Sequence, residues 1–368
     1  MVSTFAERVQ EIDISGIRKM FEGAGPNAIN LGIGQPDFDT PEHIKKAAIQ
    51  AIEEGFTGYT AGPGIPELRE ALSHKFWEEN SIEVSPDNII VTSGASEALE
   101  LALGAFVNTG DEVLIADPGF VSYKALTEIM GGYITGIPLN EKLCMDPETV
   151  NEMISPNTKA LIINSPANPT GAVQSKSDMK AFAEIADDNN IMLISDEVYE
   201  HFIYEGEHVS PAIYSDNVIT VNAVSKTYSM TGWRLGYVAA SPEITQQMLK
   251  IHQYVQACAT SISQKAALAA IEGPMDPIME MKEEFRKRRD LLLWGLGKLG
   301  MKCTKPDGAF YAFPEAESGT AEKLISEGVI VVPGEAFGEN GSGHIRISYA
   351  TSKENIKKAL AIMQEVLL

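Results

Sequence analysis

Six short, continuous apolar runs lie between residues 88 and 240, and helix candidates such as SEALELALGAFV (96–107) and SKSDMKAFAEIADDNN (175–190) lie between them. The runs are NIIVT (88–92), EVLIA (112–116), KALIIN (159–164), IMLIS (191–195), VITVNAV (218–224) and LGYVAA (235–240). Strands buried on both faces show unbroken apolar runs of this kind. Because strands that alternate with helices form sheets covered by helices, the sequence predicts an α/β fold.

The pattern changes near residue 275, which divides the chain into predicted units. A helical pattern over 242–273 closes the first unit, and a charged helix opens the second. Short strands GAFYAF, VIVVPG and HIRISYA and a helix from Ser352 to Leu367 follow. We therefore expect an N-terminal segment over 1–40, with a helix in SGIRKMFEG (15–23), a large domain over 41–274 and a small domain over 275–368.

The net charge limits the classes of partner. The chain has 29 Lys and Arg against 51 Asp and Glu, a formal net charge of −22. Nucleic acids and anionic membranes bind proteins through basic groups, so neither is expected as a partner. The three cysteines, Cys144, Cys258 and Cys303, lack the spacing of zinc ligands, so no metal is expected. With no apolar leader or spanning segment in the sequence, we expect a cytoplasmic protein.

Polar and small residues follow five of the predicted strands. The segments are SGAS, DPGF, SPANPTG, DEVYEHF and SKTYSMTGWR. Ligands of α/β sheets bind beyond the carboxyl ends of the strands. Taken singly, each candidate has a simpler structural explanation: a helix cap for Ser96 or Asp196, a turn for Asn168, a surface position for Arg234 and Lys226. Their occurrence at successive strand ends instead favours one site for a flat, charged, phosphorylated ring.

These segments also carry a resemblance to a known family. SKTYSMTGWRLG resembles the cofactor-lysine motif of the class I aminotransferases, which use pyridoxal 5′-phosphate (PLP). LGIGQPDFDTP, GYTAGPGIPELREAL, NSPANPTG, SDEVYEHF and GHIRISYA are similar to further motifs of that family, in its order, from about Gly32 to Ala350. The resemblance is to the archaeal and bacterial aspartate and aromatic aminotransferases. It implies the fold-type-I architecture, a large domain with a mostly parallel seven-stranded sheet and a smaller α+β C-terminal domain.

The resemblance assigns three catalytic residues. Lys226 would form a Schiff base with PLP and later move a proton between the substrate α-carbon and cofactor C4′. A neutral amine is needed for this, and a dry strand end favours the neutral form. Asp196 would pair with the pyridine nitrogen, and Tyr199 and Asn168 with the ring O3′. Cis peptide bonds before Pro169 and Pro118 are also implied.

Further residues would hold the cofactor. The resemblance assigns the phosphate to Arg234, Ser225 and the backbone N–H groups of Ala95 and Ser96, beside Gly94, and it places Phe120 on the ring face. Tyr59 matches a tyrosine that reaches the phosphate of the neighbouring subunit. A homodimer with shared active sites is therefore implied.

Substrate recognition is assigned only in part. Arg346 matches the arginine that binds the substrate α-carboxylate, with Gly34 and Asn168 near it, although such an arginine could also lie on a strand edge at the surface. Some aspartate-selective relatives have a lysine where this chain has Ser96. Arg18 could contact the substrate side chain, or lie on a helix surface.

The sequence thus predicts an aminotransferase, a transferase of nitrogenous groups in amino-acid metabolism. It would pass the amino group of aspartate, an aromatic or a related L-amino acid to a 2-oxo acid in a ping-pong reaction, with glutamate and 2-oxoglutarate as one pair. A carbon–sulfur lyase or decarboxylase on the same scaffold is an alternative. A PLP-sensing regulator is a third, but fewer than about 40 residues, which are not basic, precede the core.

Overall fold

A computed structural model of the chain describes residues 5–10, 12, 25 and 28–367. The predicted N-terminal helix over 15–23 and Arg18 lie outside these residues.

The large unit is built on a seven-stranded sheet, whose strands are β2 (Ile89–Thr92), β3 (Glu112–Asp117), β4 (Tyr133–Pro138), β5 (Thr158–Asn164), β6 (Met192–Asp196), β7 (Val218–Ala223) and β8 (Gly236–Ala239). Their order in the sheet is β2–β8–β7–β6–β5–β3–β4. Six of these strands run in the same direction, and β8 is antiparallel to both of its neighbours. The predicted α/β class and mostly parallel sheet are therefore confirmed.

Both faces of the sheet are covered by helices. Val113 and Ile115 of β3 pack in a core with helices of one face, whereas Leu114 packs in a core on the other. The helices that precede the second unit are α1 (Glu7–Gln10), α2 (Glu42–Glu53), α3 (Pro66–Asn80), α4 (Ala95–Phe106), α5 (Val121–Ile129), α6 (Pro147–Met153), α7 (Lys176–Asn189), α8 (Val224–Thr227), α9 (Pro242–Val255) and α10 (Ser261–Ile271). Burial on two faces explains why the strands are continuously apolar.

Three local predictions for the large unit differ from the structure. The edge strand β4 was not among the six predicted strands, because its sequence YITGIP contains Gly136 and an exposed Tyr133. Val224, predicted as strand, begins the short helix α8. The helical pattern over 242–273 is interrupted between α9 and α10, where Ala257 has a φ of 67° that no helix accepts.

The second unit is smaller and combines helices with short strands. β12 (Ile345–Ser348) lies between β11 (Val332–Pro333) and β9 (Tyr311–Ala312), antiparallel to both. VIVVPG, predicted as one strand, is divided into β10 (Val329–Ile330) and β11, and β10 pairs in parallel with β1 (Ile29–Asn30) near the N-terminus. The helices are α11 (Asp276–Lys298), α12 (Thr320–Ser326) and α13 (Lys353–Leu367). The exact domain boundaries stay a prediction.

None of the helices described here is both long and apolar enough to cross a lipid bilayer.

Candidate active site

A cavity of about 280 Å³ opens where the carboxyl ends of the parallel strands meet the second unit. Each of the predicted site residues lines it except Gly94 and Tyr59. The predicted residues in its wall are Gly34, Ala95, Ser96, Phe120, Asn168, Asp196, Tyr199, Ser225, Lys226, Arg234 and Arg346. The structure therefore brings residues from distant parts of the sequence to one place.

Lys226 lies in helix α8, directly after strand β7. Its Nζ donates a hydrogen bond to the backbone oxygen of Gly34 at 2.7 Å. Burial lowers the pKa of the Lys226 amine to about 8, with a further contribution from the charge of Arg346 and an opposing one from Asp196. Near neutral pH, a useful fraction of this amine is thus unprotonated and can act as a nucleophile or a base.

Asp196 ends strand β6 and is buried. Its Oδ2 accepts a hydrogen bond from the hydroxyl of Tyr123 at 2.7 Å. Burial raises the pKa of the Asp196 carboxyl to about 6, although the Tyr123 bond acts in the opposite direction. Tyr123 was not among the predicted site residues, but it lies three residues after Phe120, nearly one turn along α5, and this spacing was a usable signal.

Tyr199 forms its hydrogen bond with another tyrosine that was not predicted. The hydroxyl groups of Tyr199 and Tyr311 are 2.8 Å apart. Tyr311 lies in β9, opposite Ser348 of β12, so it is carried to the cavity by the same small sheet that holds Arg346. The strand GAFYAF therefore contributes to the site, which its sequence alone did not indicate.

The loop before helix α4 offers free backbone donors. Gly94 has a φ of 85°, and the N–H groups of Ala95 and Ser96 form no hydrogen bond within the part of the chain that the structure describes. Arg234 lies beside these two N–H groups: its Nη2 is 2.7 Å from the place that a Cβ on Gly94 would occupy. Two N–H groups at the positive end of a helix, together with a guanidinium, suit a phosphate.

Arg346 is buried, with a relative exposure of 1%, so the surface alternative for this residue is wrong. Its Nη1 donates to Asn168 Oδ1 at 2.8 Å, and its Nη2 donates to the Gly32 oxygen. The guanidinium carbon lies 4.7 Å from the ring centre of Tyr311 and 4.8 Å from that of Phe337. Its Nε is buried and has no hydrogen-bond partner among the described residues. A buried donor without a partner is costly, so this atom fits an incoming anion.

Comparison with known proteins identifies the family. The pattern of the family "Aminotransferase class I and II" matches residues 26–363. The chain belongs to this family. A Methanocaldococcus jannaschii protein named probable aspartate aminotransferase is 50% identical to this aminotransferase, over 98% of this chain and 99% of its own length. The aspartate aminotransferase of Pyrococcus horikoshii is 43% identical, over 98% and 97%.

A solved structure agrees with the fold. The aspartate aminotransferase from Thermus thermophilus with maleate has a TM-score of 0.95 to this aminotransferase, with 40% sequence identity, and the match covers 100% of both chains. The predicted fold-type-I architecture is therefore confirmed.

Two peptide bonds of this aminotransferase agree with the prediction from the family motifs. Asn168–Pro169 and Asp117–Pro118 are both cis, and Ser165–Pro166 is cis as well.

Tyr59 of the aminotransferase is 92% exposed and does not line the cavity of its own chain. The contact of Tyr59 with a neighbouring subunit stays a prediction.

A buried ionic cluster supports the segment that carries Asp196 and Tyr199. Lys75 on α3 donates to Glu200 and to Asn80 Oδ1, and Asn222 Nδ2 of β7 donates to Glu200 at 2.7 Å. Glu200 belongs to two groups of His and Glu side chains whose spacing could suit a metal ion. Since the Lys75 ammonium already binds Glu200, we assign this cluster a structural role, and the absence of a metal stays a prediction.

Proposed function

We propose that this aminotransferase binds PLP in the cavity and moves amino groups between L-amino acids and 2-oxo acids by a ping-pong reaction. The observation that carries the proposal is the placement of the Lys226 amine in one cavity with a buried carboxylate, Asp196, and a buried guanidinium, Arg346. When bound, PLP supplies an aldehyde that reacts with amines and a ring that withdraws electrons from the substrate α-carbon.

The donor set of the cavity fits each part of this cofactor. The free N–H groups of Ala95 and Ser96, with Ser225 and Arg234, would hold the phosphate. Phe120 would cover one face of the ring. Asp196 would bind the protonated pyridine nitrogen. Burial raises the pKa of its carboxyl, and a nearby cation such as the pyridinium would stabilise the ionised form. Tyr199 and Asn168 would donate to the ring hydroxyl oxygen.

Lys226 would first anchor the cofactor and then act as a base. With a substrate amine in its place, the freed Nζ of Lys226 would accept the proton of the substrate α-carbon and later return it. The lowered pKa suits this task, since a base is most effective when its pKa is close to the working pH.

Arg346 would orient the substrate. Arg346 and Gly34 both line the cavity, and Asn168 already holds the guanidinium on one side, so an α-carboxylate would bind between the guanidinium and the backbone beside Gly34. A fixed carboxylate sets the distance between the α-carbon and Lys226, which is how positioning accelerates proton transfer.

The substrate class follows from the relatives. Those with high identity are named aspartate aminotransferases, which supports aspartate as an amino donor, with 2-oxoglutarate as acceptor. Aromatic amino acids are included in the proposal, because the position that is lysine in some aspartate-selective relatives is Ser96 here.

We infer a homodimer with shared active sites, in which the exposed Tyr59 reaches the phosphate of the other subunit. Residues 41–274 would form the cofactor-binding domain and 275–368 the small domain. A cytoplasmic location, without nucleic-acid or membrane partners, stays a prediction from the sequence.

A panel of amino donors with 2-oxoglutarate as acceptor tests the proposed function. We expect glutamate formation with aspartate, aromatic amino acids or both, and no turnover when the 2-oxo acid is left out. Continuous product formation without any 2-oxo acid would instead indicate a lyase or a decarboxylase.

Arg234→Lys should weaken PLP binding roughly tenfold or more, because lysine keeps the charge but loses the fork that binds two phosphate oxygens. The measurement is PLP titration of the apoprotein. Excess PLP should restore most of the activity; if it does not, Arg234 has another role. Arg286→Lys, at an exposed arginine bound to Glu283, is the control and should change neither quantity.

The pH dependence of cofactor attachment should reflect the lowered pKa of Lys226. Only the unprotonated amine reacts, so the rate should rise with pH and level off above about 8. An ordinary lysine would continue to gain reactivity to about pH 10.4. Pyridoxal is the suitable probe, since it has no phosphate to titrate. A rate that still rises steeply above pH 9 would contradict the assigned pKa.

A further inference from the structure

His252 of helix α9 has no exposed surface and lies between two hydrogen-bond acceptors. Its Nδ1 is 2.7 Å from Glu97 Oε1, and its Nε2 is 2.8 Å from the backbone oxygen of Gly62. A neutral imidazole has a single N–H, and a backbone oxygen can only accept. The imidazolium can donate to Glu97 and to the Gly62 oxygen at the same time.

The pKa of His252 is consistent with this protonation state. Burial by itself lowers the pKa of the imidazole, but the hydrogen bond and the charge of Glu97 outweigh burial, and the pKa is raised above its ordinary value.

Glu97 lies in the first turn of α4, directly behind the loop that offers the free N–H groups. Its Oε2 accepts from the backbone N–H of Ser93, and its exposure is 6%. A buried carboxylate at this place would repel a phosphate dianion unless its charge were neutralised. His252 supplies a positive charge through its contact with Glu97 Oε1.

The second contact of His252 leads to the loop that carries Tyr59. Gly62 follows Tyr59 by three residues, and the same loop is held by Gln264, which donates to Thr60 Oγ1 at 2.9 Å, and by the bond from Val91 N to the Pro63 oxygen at 2.9 Å. His252 therefore joins the loop before α4 to the loop proposed to reach the neighbouring subunit.

We propose that His252 is a positioning residue for the phosphate: as an imidazolium it neutralises Glu97 behind the phosphate-binding loop and holds the Tyr59 loop against it. This inference rests on the proposed function. His252 does not line the cavity, so it acts through Glu97 and Gly62.

The test compares two ligands that differ only in the phosphate. Dissociation constants of PLP and pyridoxal are measured with the full-length apoprotein at pH 8. The ratio of the pyridoxal constant to the PLP constant isolates the phosphate contribution. In His252→Gln the ratio should fall roughly tenfold or more, because Glu97 is left as a buried, uncompensated charge. The double variant Glu97→Gln/His252→Gln removes that charge and should recover most of the ratio. His74→Gln, at an exposed histidine of α3, is the control.

Several outcomes would overturn the inference. In His252→Gln, an unchanged ratio or an equal weakening of both ligands would reduce His252 to a packing residue. A double variant no better than the single one would show that charge is not the reason. Should His252→Gln fail to fold, ¹⁵N NMR of the wild-type histidines decides, since a neutral His252 would contradict the account. A wild-type protein without any preference for PLP over pyridoxal would instead contradict the proposed phosphate site, and the inference would fall with it.

Discussion

Replacing Lys226 by alanine should lower the rate of amino-group transfer by roughly 10²- to 10⁴-fold, the usual contribution of a positioned acid–base group. The variant loses the only amine in the described wall of the cavity, and with it the group that moves the proton. PLP should still bind through its phosphate and ring contacts. The measurement is a single turnover of PLP-loaded protein with an amino acid, followed by absorbance.

The control for this variant is Lys250→Ala, at an exposed lysine of α9 that bonds to Gln247. It should leave the single-turnover rate unchanged. Near-normal turnover in Lys226→Ala would mean that another group moves the proton, and Tyr199 would be the next residue to test.

Replacing Arg346 by alanine should raise KM for every amino acid and every 2-oxo acid alike. The contact with the α-carboxylate exists in the bound substrate and in the transition state, so its loss removes uniform binding. Hydrogen bonds to a charged partner contribute about 1.5–3 kcal/mol, which corresponds to a KM rise of roughly 10- to 150-fold. A lower kcat is expected in addition if the α-carbon shifts relative to Lys226.

Arg289→Ala provides a matched control, because Arg289 is also a buried arginine of the second unit, bound to the Pro306 oxygen, but does not line the cavity. Arg289→Ala should reduce stability but leave KM unchanged in the protein that remains folded. PLP binding should be unaffected by Arg346→Ala. A KM increase confined to dicarboxylic substrates would show that Arg346 recognises the side chain. The partner of the α-carboxylate would then have to be sought elsewhere, with Arg18 as the first candidate.

The sequence was sufficient to predict the strands that carry the site and the residues that follow them. Asp196 comes directly after a continuous apolar run and Lys226 two residues after another, and parallel strands place their carboxyl ends at one edge of the sheet. The edge strand β4 was missed because it is covered less fully and lacks a continuous apolar run. A strand at the edge of a sheet therefore has a weaker signal than a central one.

The partners of the predicted residues could not be read from spacing along the chain. Tyr311 reaches Tyr199 across 112 positions, and His252 reaches Glu97 across 155. Such contacts depend on how helices and domains pack, which local patterns do not specify. The break at Ala257 has the same origin, since the residues around it read as helix and the tertiary structure determines its φ.

Reduction of the purified protein with borohydride, followed by peptide mapping, tests the central claim most directly. We expect a yellow protein that loses its colour on reduction, with the cofactor fixed to the peptide that contains Lys226. This outcome requires the Lys226 amine to be the group that carries PLP. A modified peptide anywhere else in the chain, or no modified peptide in a PLP-saturated protein, would contradict the proposed active site.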